Sequence, residues 1–85
     1  MTIRTYFYNN VEKSLKKLPK LVTDRFYDTV ELLRLNPLAG IPLKGKLKGH
    51  RKYRIGDYRI VYKYHSKEKV LVIYRLESRQ GVYKN

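Results

Sequence analysis

Lys44–Tyr64 reads KGKLKGHRKYRIGDYRIVYKY, and its last fourteen residues decide the fold. The runs Arg51–Ile55 and Tyr58–Tyr64 flank the pair Gly56-Asp57. Glycine at the first central position of a two-residue loop suits a type II′ turn, whose twist matches that of the strands it joins. Such a loop sets Arg54 directly opposite Arg59. Side chains alternate along a strand, so Lys52 stands two residues along on the same face. Like charges that face each other across strands destabilise the pair, by roughly several tenths of a kcal/mol. A domain of this size has only about 4–13 kcal/mol of total stability. Three permanent cations on one small patch make physical sense where an anion sits among them.

Working outward, His65–Glu68 reads as a four-residue hairpin loop and Lys69–Leu76 as the next strand. That loop pairs Tyr64 with Lys69 and Tyr62 with Leu71. One sheet face then carries Tyr53, Ile55, Ile60, Tyr62, Leu71 and Ile73, which suits a covering layer. The other carries Lys52, Arg54, Arg59, Val61, Lys63, Val72 and Tyr74, a basic floor with apolar support. The apolar run Val70–Ile73 reads as a central strand covered on both sides. Upstream, Leu38–Leu47, with Pro42, Gly40 and Gly45, reads as a basic surface loop.

Before it, Lys20–Leu35 is an amphipathic helix: Val22, Phe26, Val30 and Leu33 repeat at three and four, and Leu21, Thr29 and Leu32 widen the stripe. Asn36-Pro37 stops it. A shorter helix over Asn10–Leu18 carries Val11, Leu15 and Leu18 on one face, and Asn9 with Glu12 has capping-box spacing. Pro19 separates the two helices, which predicts an antiparallel hairpin laid on something flat. Thr2–Tyr8 (TIRTYFY) is β-branched and aromatic and predicts the first strand. The expectation is one α+β domain over residues 1–85: a strand, a helix hairpin, then a three-stranded antiparallel meander completing a four-stranded sheet.

Twenty Lys and Arg stand against seven Asp and Glu, a net +13 with a pI near 10.1. Six of the cations fall between Lys44 and Arg54 with no acid, whereas four of the seven acids fall between Glu12 and Glu31. A folded domain this basic expects a polyanion, nucleic acid above all, or an acidic protein partner. The chain has no cysteine, no apolar leader and no run approaching the ~20 apolar residues of a membrane span. The expected setting is a soluble, cytoplasmic one. No metal-ligand set is apparent: His50 and His65 lie in or beside loops and the acids are scattered. Neither a phosphate-binding glycine loop nor a Ser-His-Asp or Cys-His arrangement is present, and no cofactor is expected.

A cluster of Lys, Arg and Tyr remains. Guanidinium grips phosphate bidentately and aromatic rings stack on bases, so the set suits RNA. It also suits RNA cleavage, in which a ribose 2′-OH attacks the adjacent phosphorus. Arg stabilises the charge that develops, and Lys or Tyr moves the protons. Most of the nine tyrosines are sheet packing; Tyr83, beyond the regular strands, is the one singled out for function. His50 is read as an exposed residue near the basic patch with an RNA contact open to it, and His65 as a turn residue.

The order of strand, helix hairpin, basic loop, YRIGDYRIVY, VLVIYRL and closing SRQGVY resembles the RelE/ParE superfamily of bacterial and archaeal toxins over essentially the whole chain. The resemblance implies a microbial-ribonuclease-like fold, with helices on one sheet face and the active site on the other. It implies a cognate antitoxin bound in a toxin–antitoxin hetero-oligomer. In the RNase branch, messenger RNA is cut in the ribosomal A site without a metal. Carried over by position, Lys52, Arg54, Arg59, Arg79 and Tyr83 are the catalytic set; the basic loop and sheet floor add Lys44, Lys46, Lys48, His50, Arg51 and Lys63 as the expected RNA-binding set. Many relatives close in Gly-His-Arg-Arg where this chain has Glu77-Ser78-Arg79-Gln80, so Ser78 stands for the histidine and proton transfer falls to Tyr83 or Lys52. A ParE-type branch shares the fold and poisons DNA gyrase, and a plain RNA-binding module is the third reading.

Overall fold

A computed structural model describes residues 3–78 of the chain. Strand β1 (Arg4–Phe7) leads into helices α1 (Asn9–Lys16) and α2 (Lys20–Leu35). There follow β2 (Ile41–Pro42), a 3-10 turn at Gly45–Leu47, β3 (Arg51–Ile55), β4 (Tyr58–His65) and β5 (Val70–Ser78). The sheet order is β1-β5-β4-β3-β2, with β1 parallel to β5 and every other pair antiparallel. The α+β class is as expected, but the sheet has five strands. The fifth, β2, arises inside the stretch read as loop, where Ile41 and Pro42 pair with Lys52 and Arg51. No helix among the described residues is long and apolar enough to cross a membrane.

The first hairpin has the expected register, with Arg54 opposite Arg59 and Lys52 opposite Val61. Gly56 takes φ +58° while Asp57 stays at negative φ, as a type II′ turn requires. The second hairpin keeps its four-residue loop but one residue later. Lys69 adopts φ +57° and closes the turn, so His65 pairs with Val70 and Tyr62 with Ile73. The slip is even, and the face assignment near the loop survives it. Further along, a bulge opposite Val61/Tyr62 inserts an extra residue into β5. Beyond it Leu76 faces Ile60 and Glu77 faces Arg59, and β5 runs two residues past its expected end.

Val11 of α1 and Phe26, Val30 and Leu33 of α2 bury themselves against Ile60, Tyr62, Leu71, Ile73 and Leu76, so both helices cover one sheet face. Tyr53 and Ile55 pack at its margin. Three residues expected in that core are outside it: Val22 is only half-buried, and Leu21 and Leu32 are exposed. At 3.6 residues per turn both lie more than about 100° round the helix from the centre of the Phe26/Thr29/Val30/Leu33 stripe. They leave an outward apolar ridge with Leu35. Leu71 and Ile73 are buried, but Val70 and Val72 are only half-buried, so β5 is covered on one face rather than two. The Asn9–Glu12 capping box does not form. The helix starts one residue early, with Tyr8 at the N-cap and no side-chain cap.

Tyr62 ties this core to the loop before β2. Its hydroxyl accepts a bond from the Gly40 N–H at 2.8 Å and donates to the Pro37 carbonyl at 2.8 Å. Glycine is required at position 40, since a Cβ there would stand 2.6 Å from the Tyr62 Oη and 2.7 Å from the Lys52 carbonyl oxygen. Burial pushes the Tyr62 phenol above its ordinary pKa, against the smaller opposing pull of the Gly40 hydrogen bond. A folded-state value above the unfolded one means its contribution is complete below about pH 10 and is lost as pH rises through the folded value. Tyr62→Phe is expected to cost about 1–3 kcal/mol at neutral pH, through the buried partners it strands. It should also flatten the alkaline loss of stability, a result read from urea unfolding at neutral and alkaline pH.

Candidate nucleic-acid interface

The Gly56-Asp57 turn sets the geometry of the site. Lys52, Arg54 and Arg59 project from the sheet face opposite the helices and, with Ile41 of β2, line one small cavity of about 120 Å³. Arg54 is exposed, and Lys52 and Arg59 are half-buried. Neither Lys52 nor Arg54 has a carboxylate partner among the described residues. The anion that the opposed arginines require is in part the chain's own: the Arg59 Nε donates to the Glu77 Oε1 at 2.7 Å. Both side chains keep contact with solvent, so the pair is worth no more than about 1 kcal/mol. Glu77 was not singled out in the sequence, because only the bulge in β5 turns it toward Arg59.

Lys63 shares the face of Arg59, with its ammonium over Gly49, 3.6 Å from where a Cβ would stand. Lys44, Lys46 and Lys48 are exposed around the 3-10 turn. The loop is held by hydrogen bonds from the Leu43 N–H to the His50 carbonyl and from the His50 N–H to the Leu47 carbonyl, each 2.9 Å.

Two residues of the expected RNA-binding set have other surroundings. Arg51 belongs to the opposite sheet face, where its Nη1 donates to the carbonyls of Gly40 at 2.8 Å and Leu38 at 3.3 Å. It pins the loop rather than joining the cations of the cleft. His50 is half-buried instead of exposed, with its ring edge-on to Tyr74 at 4.6 Å between centroids. Tyr8 also packs on Tyr74, at 4.4 Å between centroids. Burial, and then the neighbouring Tyr8, raise the Tyr74 phenol pKa. Arg79 and Tyr83 lie outside the described residues.

Helices on one sheet face and an open, cation-lined face opposite define a RelE-like toxin fold. The family described as ParE toxin of the type II toxin–antitoxin system parDE matches residues 6–83, and the chain belongs to it, within the RelE/ParE superfamily. A protein of Methanocaldococcus jannaschii that bears the name RelE1 toxin is 30% identical over 100% of this chain and 99% of its own length. The archaeal RelE–RelB complex of Pyrococcus horikoshii OT3 contains a chain 31% identical, with a TM-score of 0.77, covering 93% of this chain and 97% of that one. The toxin–antitoxin complex RelBE2 of Mycobacterium tuberculosis gives 28% identity and a TM-score of 0.76, over 93% and 100% of the two chains.

Proposed function

We propose that this chain is the toxin of a type II toxin–antitoxin pair and cuts messenger RNA in the ribosomal A site, without a metal or cofactor. The observation that carries the reading is the convergence of Lys52, Arg54 and Arg59 on one cavity, with two arginines facing each other across the hairpin. A bound strand lays a phosphate where those charges meet. The 2′-oxygen attacks phosphorus, the P–O5′ bond breaks, and a 2′,3′-cyclic phosphate and a free 5′-hydroxyl result. Arg59 and Arg54 stabilise the added negative charge. Lys52 and Tyr83 are the candidates for taking the 2′-OH proton and giving one to the leaving oxygen. Arg79, which matches the arginine of the family's closing motif, is assigned a further charge for the phosphate by that resemblance alone.

Glu77 competes with the RNA phosphate for Arg59, so Glu77→Gln is expected to tighten RNA binding by up to about fivefold. It should also steepen the salt dependence by about 0.7 in log–log slope, as one more cation becomes free for phosphate. Anisotropy titrations across a salt series measure both, and an unchanged slope would contradict the competition.

The match to a family named for ParE toxins favours inhibition of DNA gyrase as the second reading. Primer extension on translating ribosomes, run beside a gyrase supercoiling assay, separates the two. Block of supercoiling with uncut message replaces the RNase reading. RNA binding with neither effect leaves a plain binding module.

A further inference from the structure

The face that carries the cationic cavity holds a second concavity, of about 240 Å³, beyond Val61. Tyr8, Tyr74 and His50 form its aromatic walls, and Leu47 and Val61 its apolar lining. None of the three ring residues belongs to the core cluster under the helices. Two polar groups there lack the partners that a purely structural role would supply. The His50 Nδ1 is buried with no hydrogen bond. Arg75 is exposed and has no hydrogen-bond or ion-pair partner among the described residues. The buried ring nitrogen is closed to a ligand, whereas the exposed Arg75 guanidinium is open to a polar edge in the slot.

We propose that the Tyr8–Tyr74–His50 slot takes one unpaired nucleobase of the RNA strand whose phosphates lie over Lys52, Arg54 and Arg59. The inference rests on the endoribonuclease reading and adds a base subsite to it. Val61 joins the two concavities: its cross-strand partners are Lys52 on one side and Arg75 on the other. Lys52 and Arg75 are thus two strand spacings apart, about 10 Å, so one strand can reach both. The volume admits a single base. The chemistry also matches, since rings stack on a base whatever its identity while the exposed Arg75 guanidinium reads its polar edge. A protein partner is the weaker occupant, because the slot is flanked by Arg75 and Lys63 and its own rim offers no carboxylate.

The test uses the full chain and a short fluorescein-labelled single-stranded RNA, 2′-O-methylated to block cleavage, with a matched set carrying one abasic position each. Tyr74→Leu is expected to weaken binding of the intact RNA about 5- to 100-fold, the range for loss of one stacked base. Tyr74→Phe, which keeps the ring, should restore it. One abasic position should weaken wild-type binding similarly and remove the effect of Tyr74→Leu, the signature of a shared contact. Tyr8→Leu, at a half-exposed position, repeats the measurement without disturbing the core. Equal binding by wild type, Tyr74→Leu and Tyr8→Leu, with Arg59→Ala still weakened, overturns the base slot and leaves the endoribonuclease reading intact. No RNA binding by the wild-type chain, either to the free strand or with ribosomes present, overturns both.

Discussion

Arg59→Ala is expected to slow ribosome-dependent message cleavage about 10²–10³-fold, the loss that follows removal of one preorganised donor to a developing oxyanion. Three features concentrate the effect on this residue. The turn at Gly56-Asp57 fixes its register opposite Arg54. The Glu77 carboxylate, 2.7 Å from its Nε, keeps the free guanidinium in the cleft until an RNA phosphate displaces it. Its half-burial beside Lys52 makes each charge interaction stronger than in bulk water. The opposed arginines alone would predict that the variant gains stability. With Glu77 in contact, relief of the Arg54 repulsion is offset by loss of the ion pair, and stability should stay within about 1 kcal/mol of wild type. Primer extension on translating ribosomes gives the rate, and urea unfolding gives the stability. Lys20→Ala, an equal change of net charge on an exposed helix position, should cut at the wild-type rate. Equal slowing by both variants would mean that net charge, not the geometry at Arg59, sets the rate.

Saturation with the antitoxin is expected to raise the melting temperature by roughly 16–30 °C. A ligand at about a thousand times its Kd adds about 4 kcal/mol, and each kcal/mol moves a domain of this size by about 4–8 °C. The free chain carries a net +13, and neither Lys52 nor Arg54 has a carboxylate partner among the described residues. The expected contact is an acidic or helical antitoxin segment laid over Lys52, Arg54 and Arg59, which would relieve that repulsion and block the cleft in one step. Association should slow as salt screens the attraction. Hydrogen exchange locates the contact, with protection expected in β3, in β4 and at Glu77. The competing surface is the ridge of Leu21, Leu32 and Leu35 on α2, which is apolar and exposed. Protection confined to α2, with the basic face still exchanging, would rule out neutralisation by occlusion.

The α+β class, the two helices and the place of the cations were legible in the chain because each depends on short-range rules. A glycine at the first position of a two-residue loop dictates a register, and the register alone places Arg54 against Arg59 and Lys52 beside them. The apolar period of Val22, Phe26, Val30 and Leu33 likewise marks the buried face of α2. Tertiary structure decided what depends on residues distant in sequence. The bulge in β5, read against β4, turns Glu77 toward Arg59 and puts Arg75 on the same face as Tyr74; no local pattern in VLVIYRLES announces an extra residue. Gly40 could close on Tyr62 only once β4 lay beneath the loop, and that contact, with Arg51 bonded to the same loop, makes a strand of Ile41-Pro42. His50 was read as exposed because its neighbours in sequence are Lys, Gly and Arg. Its true neighbours are Tyr74 and the residues around it, brought there by strand order rather than by sequence.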